Sequence, residues 1–142
     1  MDIACLYDFA KQQNIEVLTF PLKETGSMSL MTDSGECLIG MDTSVTDGNV
    51  QERVHLSHEL GHCATGSFYS IHTAVDCRQR HENRANKWAI HRLIPVDDLD
   101  DAIAQGNVEI WELADRFGVT EDFMRKAVCF YVHGNLAEEL YF

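Results

Sequence analysis

The stretch from Val54 to Gly66, VHLSHELGHCATG, places three histidines and a glutamate within eight residues. It constrains the fold more than any other segment. In a helix, residues four apart lie on nearly the same face, so His58 and His62 can direct both imidazoles at one cation with Glu59 beside them. Metal-assisted hydrolysis needs two neutral nitrogen ligands on a rigid element and a carboxylate able to take a proton from water. The chain is therefore expected to fold around a helix here, with Glu59 as the base and a later element supplying the missing ligand.

The surroundings fit a buried helix. At 100° steps, Val50, Val54, Leu56, Leu60, Cys63 and Ala64 occupy much of its circumference. Asn49 with Glu52 resembles a capping box, and Gly66 is a C-terminal stop. Gly61 costs about 1 kcal/mol relative to Ala in a helix interior, which predicts that another backbone approaches closely there. His55 lies about 10 Å along the axis from His62, too far to share its ion, and reads as a structural or supporting residue. A metzincin would carry glycine and histidine where Thr65 and Phe68 stand, so that route to a third ligand is closed.

The third ligand must come from His72, Asp76, Cys77, His81, Glu82 or His91. Glu82 stands out because Glu82, Ala85, Asn86, Ala89 and Leu93 share one helical face, directing a carboxylate along the side that makes core contacts. A carboxylate facing a core needs a cation. Two histidines and a glutamate form a catalytic Zn2+ set with a position left for water, and the small Ala85 and Ala89 let this helix lie close to the first. Tyr69, His72 and His81 lie where an oxyanion donor could be supplied, and Asn86, one turn after Glu82, could orient a ligand.

Ile3, Leu6, Tyr7 and Ala10 mark an amphipathic N-terminal helix. The runs IEVLTF, SMSLMT and CLIGMD, separated by KETG and TDSGE, predict a small antiparallel meander. RQRHENRANKWAIHRLIP is a long helix ended by Pro95, VDDLDDAIAQG another, and NVEIWELADRFGVTEDFMRKAVCFYV a helix pair broken at Gly118 and Val119. The fold class is α+β, with a small antiparallel β-sheet packed on the HExxH helix and a helical C-terminal part. A chain of 142 residues accommodates one compact catalytic unit. We divide it into residues 1–105, a metallopeptidase-like domain; 106–136, a helical extension packed on it; and 137–142, AEELYF, a tail resembling a protease-site tag remnant.

Taken together, HLSHELGH and ENRANKWAIHRLIP resemble the ImmA/IrrE family of metallo-endopeptidases, which show an HELGH helix followed by a helix of the form ExxANxFAxxLLxP. Trp88 replaces the usual Phe, and the ending is HRLIP. The resemblance extends back through the N-terminal helix and small sheet to cover most of residues 1 to 100. It implies a gluzincin-like fold, zinc ligation by His58, His62 and Glu82, and Glu59 as catalytic base. It also implies association with phages or other mobile elements, and a helix-turn-helix repressor as the protein cleaved.

Charge bears on partners. The net charge of −12 disfavours nucleic acid and anionic membranes and suits a basic protein partner such as a DNA-binding repressor. No apolar run approaches the roughly 20 residues of a membrane helix, and the acidic N-terminus is unlike a signal peptide, so a cytoplasmic location is expected. Five widely spaced cysteines without a CxxC pair read as free thiols. ELADRFGVTEDFMRKAV has helix-turn-helix spacing, with Leu113, Ala114, Phe117, Val119, Met124 and Ala127 apolar. Five acidic residues against three basic ones between Glu109 and Lys126 give the wrong sign for phosphate contacts, so this segment reads as packing, docking or a dimer contact. Two rivals to an endopeptidase are a non-catalytic module that sequesters a repressor and a DNA-binding regulator with a structural metal.

Overall fold

The computed structural model describes residues 2–46, 49–69, 73–134 and 136, apart from the Asn49 side chain. His72 and the 137–142 tail, both singled out from sequence, lie outside the described residues. The elements run α1 (Ile3–Gln12), β1 (Glu16–Thr19), β2 (Ser27–Met31), β3 (Cys37–Met41), α2 (Asn49–Thr65), α3 (Val75–Leu93), α4 (Val96–Ala104), α5 (Ile110–Phe117) and α6 (Glu121–His133). The fold is α+β, and no described helix is long and apolar enough to cross a membrane.

The sheet departs from the predicted meander: its order is β1-β3-β2, with β1 parallel to β3 and β2 antiparallel to it. Only the β2–β3 connection is a hairpin, closed by the Thr32 N–H to Glu36 O bond of 2.8 Å. The β1–β2 connection crosses the end of β3 because its polar groups are bound there. Phe20 N donates to Met41 O, Leu22 N to an Asp42 carboxylate oxygen at 2.8 Å, and Asp42 N to Gly26 O. β3 takes the centre because its alternate residues Cys37, Ile39 and Met41 are all buried. A strand with one fully apolar face gains most from pairing on both flanks.

Two packing features position the site. At Gly61 a Cβ would stand 2.5 Å from the Ala85 carbonyl oxygen and 2.9 Å from its Cα, so α2 and α3 touch backbone to backbone there, as the lone glycine predicted. Leu56, Leu60, Ala89, Ile90 and Leu93 pack beside that crossing in a core that continues to α6. Val50 and Ala64, expected inside, are exposed. Glu52 accepts a hydrogen bond from the Tyr7 hydroxyl, linking α2 to α1.

The cysteine expectation is corrected in part. Cys37 and Cys63 form a disulfide with Cα atoms 6.0 Å apart, while Cys5, Cys77 and Cys129 are thiols outside any disulfide. The pair is set by packing of the sheet on α2, 26 residues apart in the chain, and no local spacing encodes it. In α5 and α6, the apolar residues of the helix-turn-helix spacing turn inward: Leu113, Ala114, Val119, Met124 and Ala127 are buried. Arg53 of α2 donates to the Phe117 and Gly118 carbonyls at their turn. These contacts account for the pattern as packing.

Candidate metal centre

His58 and His62 project from successive turns of α2, and Glu82 reaches them from the first half of α3. His58 Nε2 lies 2.7 Å from Glu82 Oε2, His62 Nε2 lies 3.3 Å from Glu82 Oε1, and the two Nε2 atoms are 3.2 Å apart. Of the other third-ligand candidates, Asp76 pairs with Arg80, and His91 packs on Phe130 and Tyr131. Among the described residues, His58, His62 and Glu82 are the group whose ligand atoms converge.

The far side of each ring explains why these atoms converge as acceptors. His62 Nδ1–H donates to the Ser67 backbone carbonyl, and His58 Nδ1–H donates to Asn86 Oδ1 at 2.7 Å. A neutral imidazole carries one proton, so both Nε2 atoms present lone pairs towards the carboxylate. Three acceptors facing one point repel unless a positive charge lies among them. Donors sharing a tetrahedral Zn2+ at about 2.0–2.1 Å stand about 3.3 Å apart, close to two of the three separations, the His58–Glu82 pair being tighter. The residues present therefore fit a divalent ion.

Without an ion, the Glu82 carboxylate favours a proton on His62. Burial opposes charge on both partners, yet hydrogen bonding between Glu82 and the two histidines holds the Glu82 carboxyl well below the usual carboxylate range. Burial likewise lowers the His62 pKa, but its bonds to Glu82 and the Ser67 carbonyl raise it overall above the ordinary histidine value. Metal and proton compete for the same lone pair, so apparent metal affinity should fall as pH drops through that raised pKa. Each further pH unit then costs about tenfold. Zinc competition titrations at pH 8 and pH 6 check this; equal affinity at both would contradict it.

The remaining predicted positions are as follows. Tyr69 donates its hydroxyl to Glu82 Oε1 at 2.6 Å, and burial with that bond pushes its pKa up to about 12, so it remains a protonated donor at neutral pH. His81 stacks on Tyr69, its ring centroid 6.1 Å away, with a buried Nδ1 that has no partner among the described residues. Glu59 is buried beside these three residues but is not part of their cluster, and one of its oxygens accepts from the Ser27 hydroxyl at 2.7 Å.

A cleft of about 750 Å3 opens over these groups. Edge strand β2 lines it through Ser27, Met28 and Ser29, and the start of α6 through Thr120, Phe123 and Lys126. Sequence reasoning missed Ser27, the Ser67 carbonyl and the α6 contribution. Ser27 alone left a trace, a small polar residue on the strand face turned to the core. The family model Peptidase_M78, described as the IrrE N-terminal-like domain, matches residues 10–128. No curated protein and no solved structure gives a match.

Proposed function

The chain belongs to the Peptidase_M78 family, IrrE N-terminal-like, and on that premise we propose that it is a zinc-dependent endopeptidase of the cytoplasm. His58, His62 and Glu82 would hold the ion and Glu59 would be the general base. The observation that carries this reading is the convergence of three acceptors, a carboxylate and two imidazoles whose other ring nitrogens are already committed to carbonyl oxygens.

When bound, the ion supplies Lewis acidity, polarising the scissile carbonyl and acidifying the attacking water. Glu59 accepts the water proton as the oxygen attacks the peptide carbon, and returns it to the amide nitrogen as the C–N bond breaks. Tyr69, whose hydroxyl donates to Glu82 in the free protein, would turn that proton to the developing oxyanion, with His81 stacked on its ring. Asn86 and the Ser67 carbonyl keep both imidazoles in the tautomer that leaves Nε2 free.

For the substrate we propose a basic helix-turn-helix repressor of a phage or other mobile element, cut in an extended segment. A strand edge along a cleft, with no strand paired to it among the described residues, suits main-chain pairing with such a segment. The charge of −12 favours encounter with a basic protein, at short range in physiological salt. Co-expression with a panel of basic helix-turn-helix repressors should give discrete repressor fragments by mass spectrometry. An intact repressor that co-purifies with the chain would instead mark a sequestering module.

The metal itself gives a second expected result. Zinc should bind at one ion per chain and raise the thermal midpoint, since an ion at 100 times its Kd stabilises the folded state by about 2.7 kcal/mol. His62→Ala should abolish both effects. Unchanged stoichiometry in that variant would place the metal elsewhere.

A further inference from the structure

One contact beside the site has no part in holding the ion. Ser27 Oγ lies 2.8 Å from His55 Nδ1 and 2.7 Å from Glu59 Oε2, and Ser27 and Glu59 are both buried. From the geometry we infer that His55 and Ser27 form a positioning relay for the general base, running His55 Nδ1–H to Ser27 Oγ and Ser27 O–H to Glu59 Oε2. The inference rests on the reading of Glu59 as base.

The direction of the relay follows from proton counting. A serine hydroxyl has one proton. If Ser27 donated it to His55, its oxygen and a carboxylate oxygen would face each other at 2.7 Å with nothing between them, a repulsive contact. Donation to Glu59 removes that repulsion and requires His55 to carry its proton on Nδ1. Burial lowers the His55 pKa, which favours the neutral ring with its single proton.

The consequence for Glu59 is asymmetric. Oε2 is pinned by Ser27, while Oε1 has no partner among the described residues and Glu59 lines the cleft. One oxygen is thus held and the other left to exchange the proton. Glu59 lines the cleft beside His58 and His62, and one fixed rotamer keeps its free oxygen turned to that space. His55 is fixed in turn. A Cβ at Gly26 would come within 3.0 Å of His55 Cε1 and 3.1 Å of Thr46 Cγ2, and Gly26 has φ +78°. A side chain there would push the ring off Ser27.

Two measurements test the relay. Long-range 15N–1H correlation NMR on the zinc-loaded protein should show His55 as the Nδ1–H tautomer, shifting towards Nε2–H in Ser27→Ala. This readout needs no substrate, so it stands or falls independently of whether the repressor is cut. In cleavage of a helix-turn-helix repressor that the wild type cuts, Ser27→Ala should lower kcat about 10- to 100-fold, with KM and bound zinc unchanged within about twofold. His55→Leu should match it, and the double variant should be no worse than either, because both break one chain. His55→Asn, which returns an N–H near the Nδ1 position, and Ser27→Thr, which keeps the hydroxyl should Ser27→Ala fail to fold, should recover most of the rate. An Nε2–H tautomer in the wild type, an undiminished kcat in Ser27→Ala, or losses that multiply in the double variant would each overturn the relay.

Discussion

Glu59→Gln should abolish cleavage while leaving the zinc in place. General acid–base transfer contributes about 10²–10⁴-fold, and Glu59 would act in both the attack and the departure of the amine, so a loss at the upper end is expected. Metal content should hold because the donor atoms belong to His58, His62 and Glu82. Folding should hold because the substitution keeps the side-chain volume at a buried position, and the amide oxygen can still accept from Ser27. Rate of fragment formation and zinc per chain, measured on the same preparation, decide the matter. Retention of activity within tenfold, or parallel loss of zinc, would remove Glu59 from the role of base.

Gly61→Ala should destabilise the fold and loosen the metal together. Helix propensity by itself predicts a gain of about 1 kcal/mol for this change. Against that, the new methyl would stand 2.5 Å from the Ala85 carbonyl oxygen. That oxygen belongs to a helix backbone and cannot rotate away, and overpacking of this kind costs about 1–3 kcal/mol or more. The clash wins, and α3 must move outward. Ala85 lies one turn from Glu82, so the movement carries the carboxylate away from the two imidazoles. Urea unfolding of the metal-free protein should show a net loss of about 1–2 kcal/mol, and competition titration a zinc affinity at least tenfold weaker. A variant more stable than the wild type would mean that the two helices do not meet at this point.

The same crossing shows how far the residues speak for themselves. His58 and His62 share a face because four residues make nearly one helical turn, wherever the helix sits. Glu82 was legible for a related reason: Ala85, Asn86 and Ala89 repeat on its side at helical spacing, and a carboxylate in that company needs a cation. Asn86 was suspected as a ligand-orienting residue and hydrogen-bonds His58. The helix-turn-helix spacing near the C-terminus was legible as helix, turn, helix, yet the same apolar periodicity serves a DNA-binding unit and a packed hairpin. Its inward face became evident only with Arg53 on the turn carbonyls.

What the amino-acid order determined by itself is therefore whatever depends on a local period: the helices, their breaks at Pro95 and Gly118, and the faces of α2 and α3 that carry His58, His62 and Glu82. Tertiary structure decided the pairings between distant segments, namely the central place of β3, the Cys37–Cys63 bond, and the contact of Ser27 with His55 and Glu59. The reason is physical. A helix is closed by hydrogen bonds four residues apart and so is written in neighbouring residues. A strand neighbour, a disulfide partner or the hydroxyl behind a carboxylate is chosen by competition among all surfaces that can be buried together, and that choice exists only once the chain has folded.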